Sequence, residues 1–186
     1  MIRGGGTISV IAEYFQAKEI TGIALSPEAI AFCKSNYTYE HVHFFEGDSE
    51  NMPFNDIFEV VTNVESASSY PNIQKFFKEI YRALKPNGYF LYTDVLPTEL
   101  IPGYLSFLQE MGFTLEIDRD ITHNVLLSCD ETAKRHATAF GKDNEFTDNF
   151  YLYRVPKSIQ RWKMERQPIG YLDLKNIIEA YSGGFK

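Results

Sequence analysis

At 186 residues the chain has the length of one domain that can bury a single sizeable core. A net charge of −7 argues against a nucleic-acid partner held by phosphate neutralisation, and no apolar run approaches the roughly 18 residues of a membrane span. The N-terminus makes a poor signal peptide, and the two cysteines have no metal-binding spacing. We therefore expect a cytoplasmic protein without a metal site.

Helical and strand-like segments alternate along the first two thirds of the chain. Apolar residues at helical spacing follow the glycines at 4–6, and Ser26 with Pro27 opens a second helix as cap and first-turn proline. The first three strands are predicted at 19–25, 42–46 and 58–64. Such alternation predicts βαβ units around a parallel sheet.

The most regular helix follows the third strand. Its apolar residues recur at spacings of three and four, at Ile73, Phe76, Phe77, Ile80, Tyr81 and Leu84. Residues 85–88 are predicted to end this helix and turn into a strand at 89–96, since they read Lys-Pro-Asn-Gly. A helix at 98–111, closed by Gly112, then precedes an alternating strand that begins at Phe113.

The last third of the chain has a different pattern. Residues 122–140 are predicted to be helical and 141–149 to be a polar loop, and periodicity assigns no element beyond them. Basic residues gather there, which indicates either a solvated helix face or an anion site. They are Lys157, Arg161, Lys163 and Arg166.

Four short segments lie where a ligand of a parallel sheet would bind. Glycines before a helix let the backbone approach a ligand, although a flexible chain end uses the same residues. About 20 residues beyond them, adenosyl and dinucleotide folds place an acid on the ribose hydroxyls, and here that position is Ala24. Asp48 follows the second strand, where a carboxylate can pair with an adenine edge or simply form a turn. Asn63 and Glu65 end the third strand, which faces the ligand crevice of an open sheet.

The segments GIALSPEAI, FFEGDSENMPF and NVESASSYPNIQKFFKEIYRALKPNGYFLYTDV resemble class I S-adenosylmethionine-dependent methyltransferases. The likeness is strongest to the branch that includes phthiotriol/phenolphthiocerol dimycocerosate and polyketide or sugar O-methyltransferases, and it runs from Arg3 to about Asp120. It implies an α/β fold, a Rossmann-like methyltransferase sheet that is mostly parallel with helices on both faces. Family members begin with a further, central strand, so the resemblance implies an N-terminally truncated chain without it. It also implies one domain, 1–186, with a cofactor-binding core at 1–121 and substrate-covering elements at 122–186.

The resemblance implies S-adenosylmethionine as the cofactor and assigns its ligands. Gly4 and Gly6 would end the glycine-rich loop. The remaining cofactor-binding positions would be Ala24 and Leu25 at the adenosine, Asp48 and Ser49 at the adenine, and Asn63 and Val64 at the methionine moiety.

The implied reaction is methyl transfer to a small-molecule acceptor, an O-methylation of a hydroxyl on an apolar, polyketide or lipid-like molecule. A hydroxyl acceptor benefits from a general base. Where close relatives carry a histidine this chain has Ser68, so Glu65, Tyr70 and His123 are the candidate bases, each with a purely structural alternative.

Two other hypotheses compete with this one. Ala24, Ser68 and the missing strand favour a catalytically inactive remnant that serves as a structural or interaction protein. Open sheet edges would also favour self-association. A nicotinamide-dependent oxidoreductase is disfavoured because the Gly-Asp-Ser and Asn-Val-Glu segments have no role in such an enzyme.

Overall fold

A computed structural model describes residues 5–125, 127–128, 131 and 157–164. Their contacts divide at Pro53 into two compact units, and each is described by itself. Unit 1 contains the described residues up to 53, and unit 2 contains those from 54 to 164. The domain bounds proposed above, 1–186 with subdivisions at 1–121 and 122–186, stay a prediction.

Unit 1 is a β-α-β arrangement preceded by a helix. Its elements are α1 (Gly6–Tyr14), β1 (Ile20–Ala24), α2 (Pro27–Asn36) and β2 (Val42–Glu46). The two strands pair in parallel, with Ile20 opposite Val42 and Ala24 opposite Glu46. Helix α2 begins at Ser26, whose hydroxyl accepts the Ala29 N–H at 3.1 Å. Both predicted strands and the predicted cap are confirmed.

Unit 2 holds a four-stranded sheet. Its elements are β3 (Phe58–Val64), α3 (Ile73–Ala83), β4 (Leu84–Val95), α4 (Ile101–Glu110), β5 (Phe113–Asp120) and β6 (Lys157–Met164), with short 3-10 turns at Ala67–Ser69 and Thr98–Leu100. The strand order is β3-β4-β6-β5. Strands β3 and β4 are parallel, and β6 is antiparallel to both of its neighbours. Three of these four strands therefore run in one direction, which confirms a mostly parallel sheet.

Aromatic packing between α3, α4 and β4 forms the core of unit 2. Phe77 is fully buried on α3, and its ring centroid lies 6.1 Å from Phe90 and 5.7 Å from Tyr92. It also lies 6.0 Å from Tyr104 of α4, so both helices cover the same face of the sheet. Truncating such a ring typically costs about 3–5 kcal/mol.

The turn predicted at residues 85–88 lies inside β4. Leu84 pairs with Phe58 and Tyr89 with Val60, so the register shifts between them. A Cβ added to Gly88 would lie 2.8 Å from the carbonyl oxygen of Lys85, and only glycine fits there. The strand therefore begins five residues before the predicted start at Tyr89, because the backbone resumes pairing directly after α3.

Strand β6 is the element that periodicity left unassigned. Trp162 is fully buried on it and Gln160 nearly so. The buried Gln160 amide has two hydrogen-bond partners: it accepts from Trp162 Nε1 at 3.2 Å and donates to Asp118 at 3.4 Å. The basic residues Lys157, Arg161 and Lys163 thus belong to a strand, and the helix-face interpretation of them is wrong. Arg166 lies outside the described residues.

The other predictions for the C-terminal half hold in part. The helix expected at 98–111 is the 3-10 turn followed by α4, and it ends at Gly112 with a left-handed φ of 97°. Residues 122–125, 127–128 and 131 are helical, and the remainder of 122–140, with all of 141–149, lies outside the described residues. In the described part of the chain, no helix combines the length and apolar character needed to cross a bilayer.

Candidate functional site

The carboxyl ends of β1 and β2 bring two of the predicted cofactor segments together. Because the strands are adjacent and parallel, they end at the same edge, and the Gly47 N–H donates to the Ala24 carbonyl at 2.9 Å. Leu25 follows β1 and is 61% exposed, although it is a large apolar residue. Asp48 follows β2 and is also exposed. This edge therefore offers an apolar surface and a carboxylate side by side.

The turn after β2 holds Asp48 in a defined conformation. Its Oδ1 accepts the Glu50 N–H at 2.8 Å, and its carbonyl accepts the Asn51 N–H at 3.0 Å. Ser49 is buried to 9% exposure, so its side chain belongs to the turn's interior. The arrangement is an Asx turn that presents a carboxylate to solvent.

Ala24 is a core position in this chain. It is 1% exposed and lies in the hydrophobic cluster of unit 1. A methyl group cannot accept a hydrogen bond from a ribose. Glu46 lies opposite Ala24 in the strand register and is exposed, so the acidic groups of this edge come from β2 and its following turn.

The glycine turn before α1 depends on a residue that the sequence analysis did not single out. Gly4 lies outside the described residues, and a Cβ on Gly6 would meet open space. Gly5, in contrast, has a left-handed φ of 73°, and a Cβ there would lie 2.3 Å from the Tyr37 ring and 3.0 Å from Cys33 Sγ. The sequence alone does not single Gly5 out, because the contacts that exclude a side chain there come from residues distant along the chain.

At the carboxyl ends of β3 and β4, unit 2 holds a hydrogen-bonded polar group around three buried residues, Asn63, Ser66 and Asp94, that we name the Asp94 cluster. Its members are Asn63, Ser66, Ser68, Tyr70 and Asp94. Asn63 and Asp94 are each 4% exposed, and the Asn63 amide donates to Asp94 Oδ2 at 3.2 Å. The backbone N–H of Ser68 donates to the same oxygen at 3.1 Å.

The side-chain donors of the Asp94 cluster form a series of hydrogen bonds that ends at Asp94. The Tyr70 hydroxyl donates to Ser66 Oγ at 3.3 Å, and the Ser66 hydroxyl donates to Asn63 Oδ1. Asn63 then donates to Asp94. An amide accepts at one atom and donates at another, so this chain of hydrogen bonds fixes positions without carrying a proton to Asp94.

Two of the candidate bases, Glu65 and Tyr70, follow the carboxyl end of β3. Glu65 follows β3 with a φ of 50°, is exposed, and donates its N–H to the Thr93 carbonyl at 2.9 Å. Tyr70 packs its ring edge-on against Phe76, with centroids 4.9 Å apart. His123 instead lies exposed in the helical segment after β5. Val64, predicted to flank the methionine moiety, is the half-buried last residue of β3.

Asp94 and Tyr92 were not among the predicted site residues. Tyr92 is 5% exposed, and its hydroxyl has no hydrogen-bond partner in the described part of the chain. Burial raises the pKa of Tyr92, and the neighbouring Asp94, Tyr104 and Tyr70 raise it further. The sequence signal for both residues was the polar end of a strand otherwise rich in apolar residues.

A metal centre receives no support from the described residues. Their histidine, cysteine, aspartate and glutamate side chains form no group of three or more that could hold a metal ion.

Comparisons with known proteins point to one family. Residues 3–92 match the methyltransferase domain family. The chain is 35% identical over 130 residues to a fatty-acid O-methyltransferase of Mycolicibacterium smegmatis, a match that covers 65% of this chain and 47% of that protein. It is 33% identical over 144 residues to a probable phthiotriol/phenolphthiotriol dimycocerosates methyltransferase 2 of Mycobacterium ulcerans, covering 73% and 56%.

A solved structure supports the fold. Geranyl diphosphate methyltransferase in complex with SAM superposes with a TM-score of 0.67 at 15% identity, over 87% of this chain and 74% of that one. The chain spans about half the length of these two curated relatives, at 47% and 56%.

Proposed function

Because this chain belongs to the class I S-adenosylmethionine-dependent methyltransferases, we propose that it transfers a methyl group to a hydroxyl of a lipid-like small molecule. The observation that carries the proposal is the joined edge of β1 and β2, where the Gly47 N–H meets the Ala24 carbonyl. Adjacent parallel strand ends of this kind are where α/β sheets bind their ligands.

The residues at this edge fit an adenosine in most respects. Exposed Leu25 offers an apolar surface to a purine ring, and the Asp48 carboxylate can accept from an exocyclic amine. Ala24 leaves the ribose hydroxyls without the usual acid. The contact of Asn63 and Val64 with the methionine moiety stays a prediction from the resemblance. When bound, S-adenosylmethionine supplies an electrophilic methyl group.

The protein's own contribution would be positioning and removal of a proton. Holding the acceptor in line is worth up to roughly 7–11 kcal/mol, and a general base adds about 10²–10⁴-fold. Glu65 is an exposed carboxylate at the strand end, whereas the Tyr70 proton is already directed to Ser66. We therefore rank Glu65 before Tyr70 and His123 as the base.

A lipid-like acceptor is supported by the names of the relatives, which include a fatty-acid and a phthiotriol dimycocerosate methyltransferase. A cytoplasmic location, the absence of a nucleic-acid partner and self-association through sheet edges stay predictions. Sedimentation of the full chain at several concentrations would test the last of these.

The test is calorimetric titration of the full chain with S-adenosylhomocysteine, followed by transfer of a labelled methyl group from S-adenosylmethionine to 1-dodecanol. We expect binding in the wild type and weaker binding in Asp48→Ala. Glu40→Gln, which removes an exposed charge between α2 and β2, is the matched control and should bind as the wild type does.

A second candidate is a non-catalytic structural or interaction protein, and the burial of Ala24 favours it. It requires that neither binding nor transfer occurs. Wild-type protein that is folded by circular dichroism and gives no heat with millimolar S-adenosylhomocysteine would replace the first proposal with this one.

A further inference from the structure

The Tyr92 hydroxyl is a buried donor that nothing in the described part of the chain accepts. Nine-tenths or more of buried polar groups have a partner, and leaving a hydroxyl without one costs about 1–3 kcal/mol. A partner from outside these residues would remove that cost. A bound oxygen atom that accepts from Tyr92 would be such a partner.

Tyr92 stands where the aromatic core meets the Asp94 cluster. Its ring packs against Phe77 and Phe90, with centroids 5.7 and 5.4 Å away. In the strand register it lies opposite Asn63, and Asp94 is two residues further along the same face of β4. One side of the residue thus packs against two phenylalanine rings, and the other is the polar end of the strand.

The electrostatics of this position select the chemistry of the bound group. Raised by burial and by Asp94, the pKa of Tyr92 keeps the hydroxyl protonated, so it acts as a donor at neutral pH. Asp94 places a buried carboxylate beside it. A neutral hydroxyl can accept from Tyr92 near this charge, whereas a second carboxylate would be repelled by it.

We propose that the Tyr92 hydroxyl positions the methyl acceptor by donating to an oxygen of it, and that this oxygen belongs to a neutral alcohol or phenol rather than a carboxylic acid. The inference rests on the proposed function and deepens it. Tyr92 would be a positioning residue, and Asp94 would set the selectivity against acids.

The experiment compares two probes of equal chain length, 1-dodecanol and dodecanoate, by calorimetric titration of the full chain at pH 7. We expect the wild type to bind the alcohol at least about tenfold more tightly than the acid. Tyr92→Phe should weaken alcohol binding about threefold to tenfold, the size of one hydrogen bond, and leave acid binding unchanged. Tyr81→Phe removes a hydroxyl from a ring that packs against Phe113 elsewhere in unit 2 and should change neither.

Thermal unfolding of the ligand-free variants separates this role from a structural one. If the hydroxyl has no partner in the ligand-free protein, removing it costs no hydrogen bond, and Tyr92→Phe should unfold at the same temperature as the wild type or higher. A lower midpoint, or unchanged alcohol binding in this variant, would overturn the role of Tyr92 while leaving methyl transfer to 1-dodecanol intact. Preferential binding of dodecanoate would overturn the proposed selectivity for alcohols over acids. A wild type that neither binds nor methylates either probe would overturn both this inference and the proposal of a lipid-like acceptor.

Discussion

The two candidate regions are built in opposite ways. At the edge of unit 1, Leu25 and Asp48 are exposed, and the backbone holds them through a strand-end hydrogen bond and an Asx turn. In unit 2, Asn63 and Asp94 are buried and hold each other through side chains. A substitution at the exposed edge should therefore alter binding, whereas one in the buried cluster should first alter stability.

The largest effect is expected for Asp94→Ala. The change removes the acceptor of Asn63 Nδ2, a buried donor whose loss of a partner costs about 1–3 kcal/mol, and also the acceptor of the part-buried Ser68 N–H. We expect the free energy of unfolding in urea to fall by about 2–5 kcal/mol. Glu99→Ala removes an exposed carboxylate from the same unit and should leave it within about 0.5 kcal/mol. Equal stability of the two variants would mean that the Asp94 cluster does not hold the strand ends.

Gly5→Ala should have the next largest effect. The left-handed φ and the close approach of Tyr37 together cost about 2–4 kcal/mol, because an added methyl must move a ring that packs near Phe44. Gly6→Ala is the matched control, since its Cβ would enter open space at the first residue of α1. That variant should be neutral or up to about 1 kcal/mol more stable. If both variants unfold at the same urea concentration, the turn before α1 is not built as described.

The strand bounds and the glycine turn show which features the sequence alone could predict. The strands at Val42–Glu46 and Phe58–Val64 have the predicted bounds because apolar runs with turn residues at their ends are local signals. Residue Gly5 could not be separated from its neighbours, since the side chains that leave no room for a Cβ there are Tyr37 and Cys33, about thirty residues away. Local signals predicted the elements, but not which glycine the packing requires.

Strand β6 and Asp94 escaped prediction for a related reason. Gln160 occupies a core position of β6 and interrupts the apolar alternation, because its amide is satisfied by Trp162 and Asp118. Asp94 ends a strand whose partner, Asn63, is 31 residues earlier. Both are polar residues that burial permits only when a partner distant in sequence satisfies them, and a single sequence does not reveal that partner.

Leu25→Asp should change binding without changing stability. The side chain is 61% exposed, so the fold loses little, but a carboxylate would replace the apolar surface proposed for the adenosine. We expect about tenfold weaker binding of S-adenosylhomocysteine by calorimetry, equivalent to about 1.4 kcal/mol. Phe32→Asp alters a comparably exposed apolar residue on α2, at 51%, and should bind normally. Equal loss in both variants would point to a general effect of added charge.

The smallest effect, and the one that tests the rigidity of the exposed edge, is expected for Glu28→Gln. The Ser26 hydroxyl donates to the Glu28 carboxylate at 2.8 Å and lowers its pKa below the usual 4.5, with a smaller contribution from the backbone. A carboxyl whose pKa is depressed by folding stabilises the protein above its unfolded pKa and loses that contribution as the pH falls through the folded value. Thermal unfolding should therefore show a slightly lower midpoint for Glu28→Gln at pH 7, and the difference from the wild type should vanish once the pH falls below the folded pKa of Glu28. Glu40→Gln controls for the lost charge, and a difference that persists unchanged into acid would show that the effect does not come from the ionised Glu28 carboxylate.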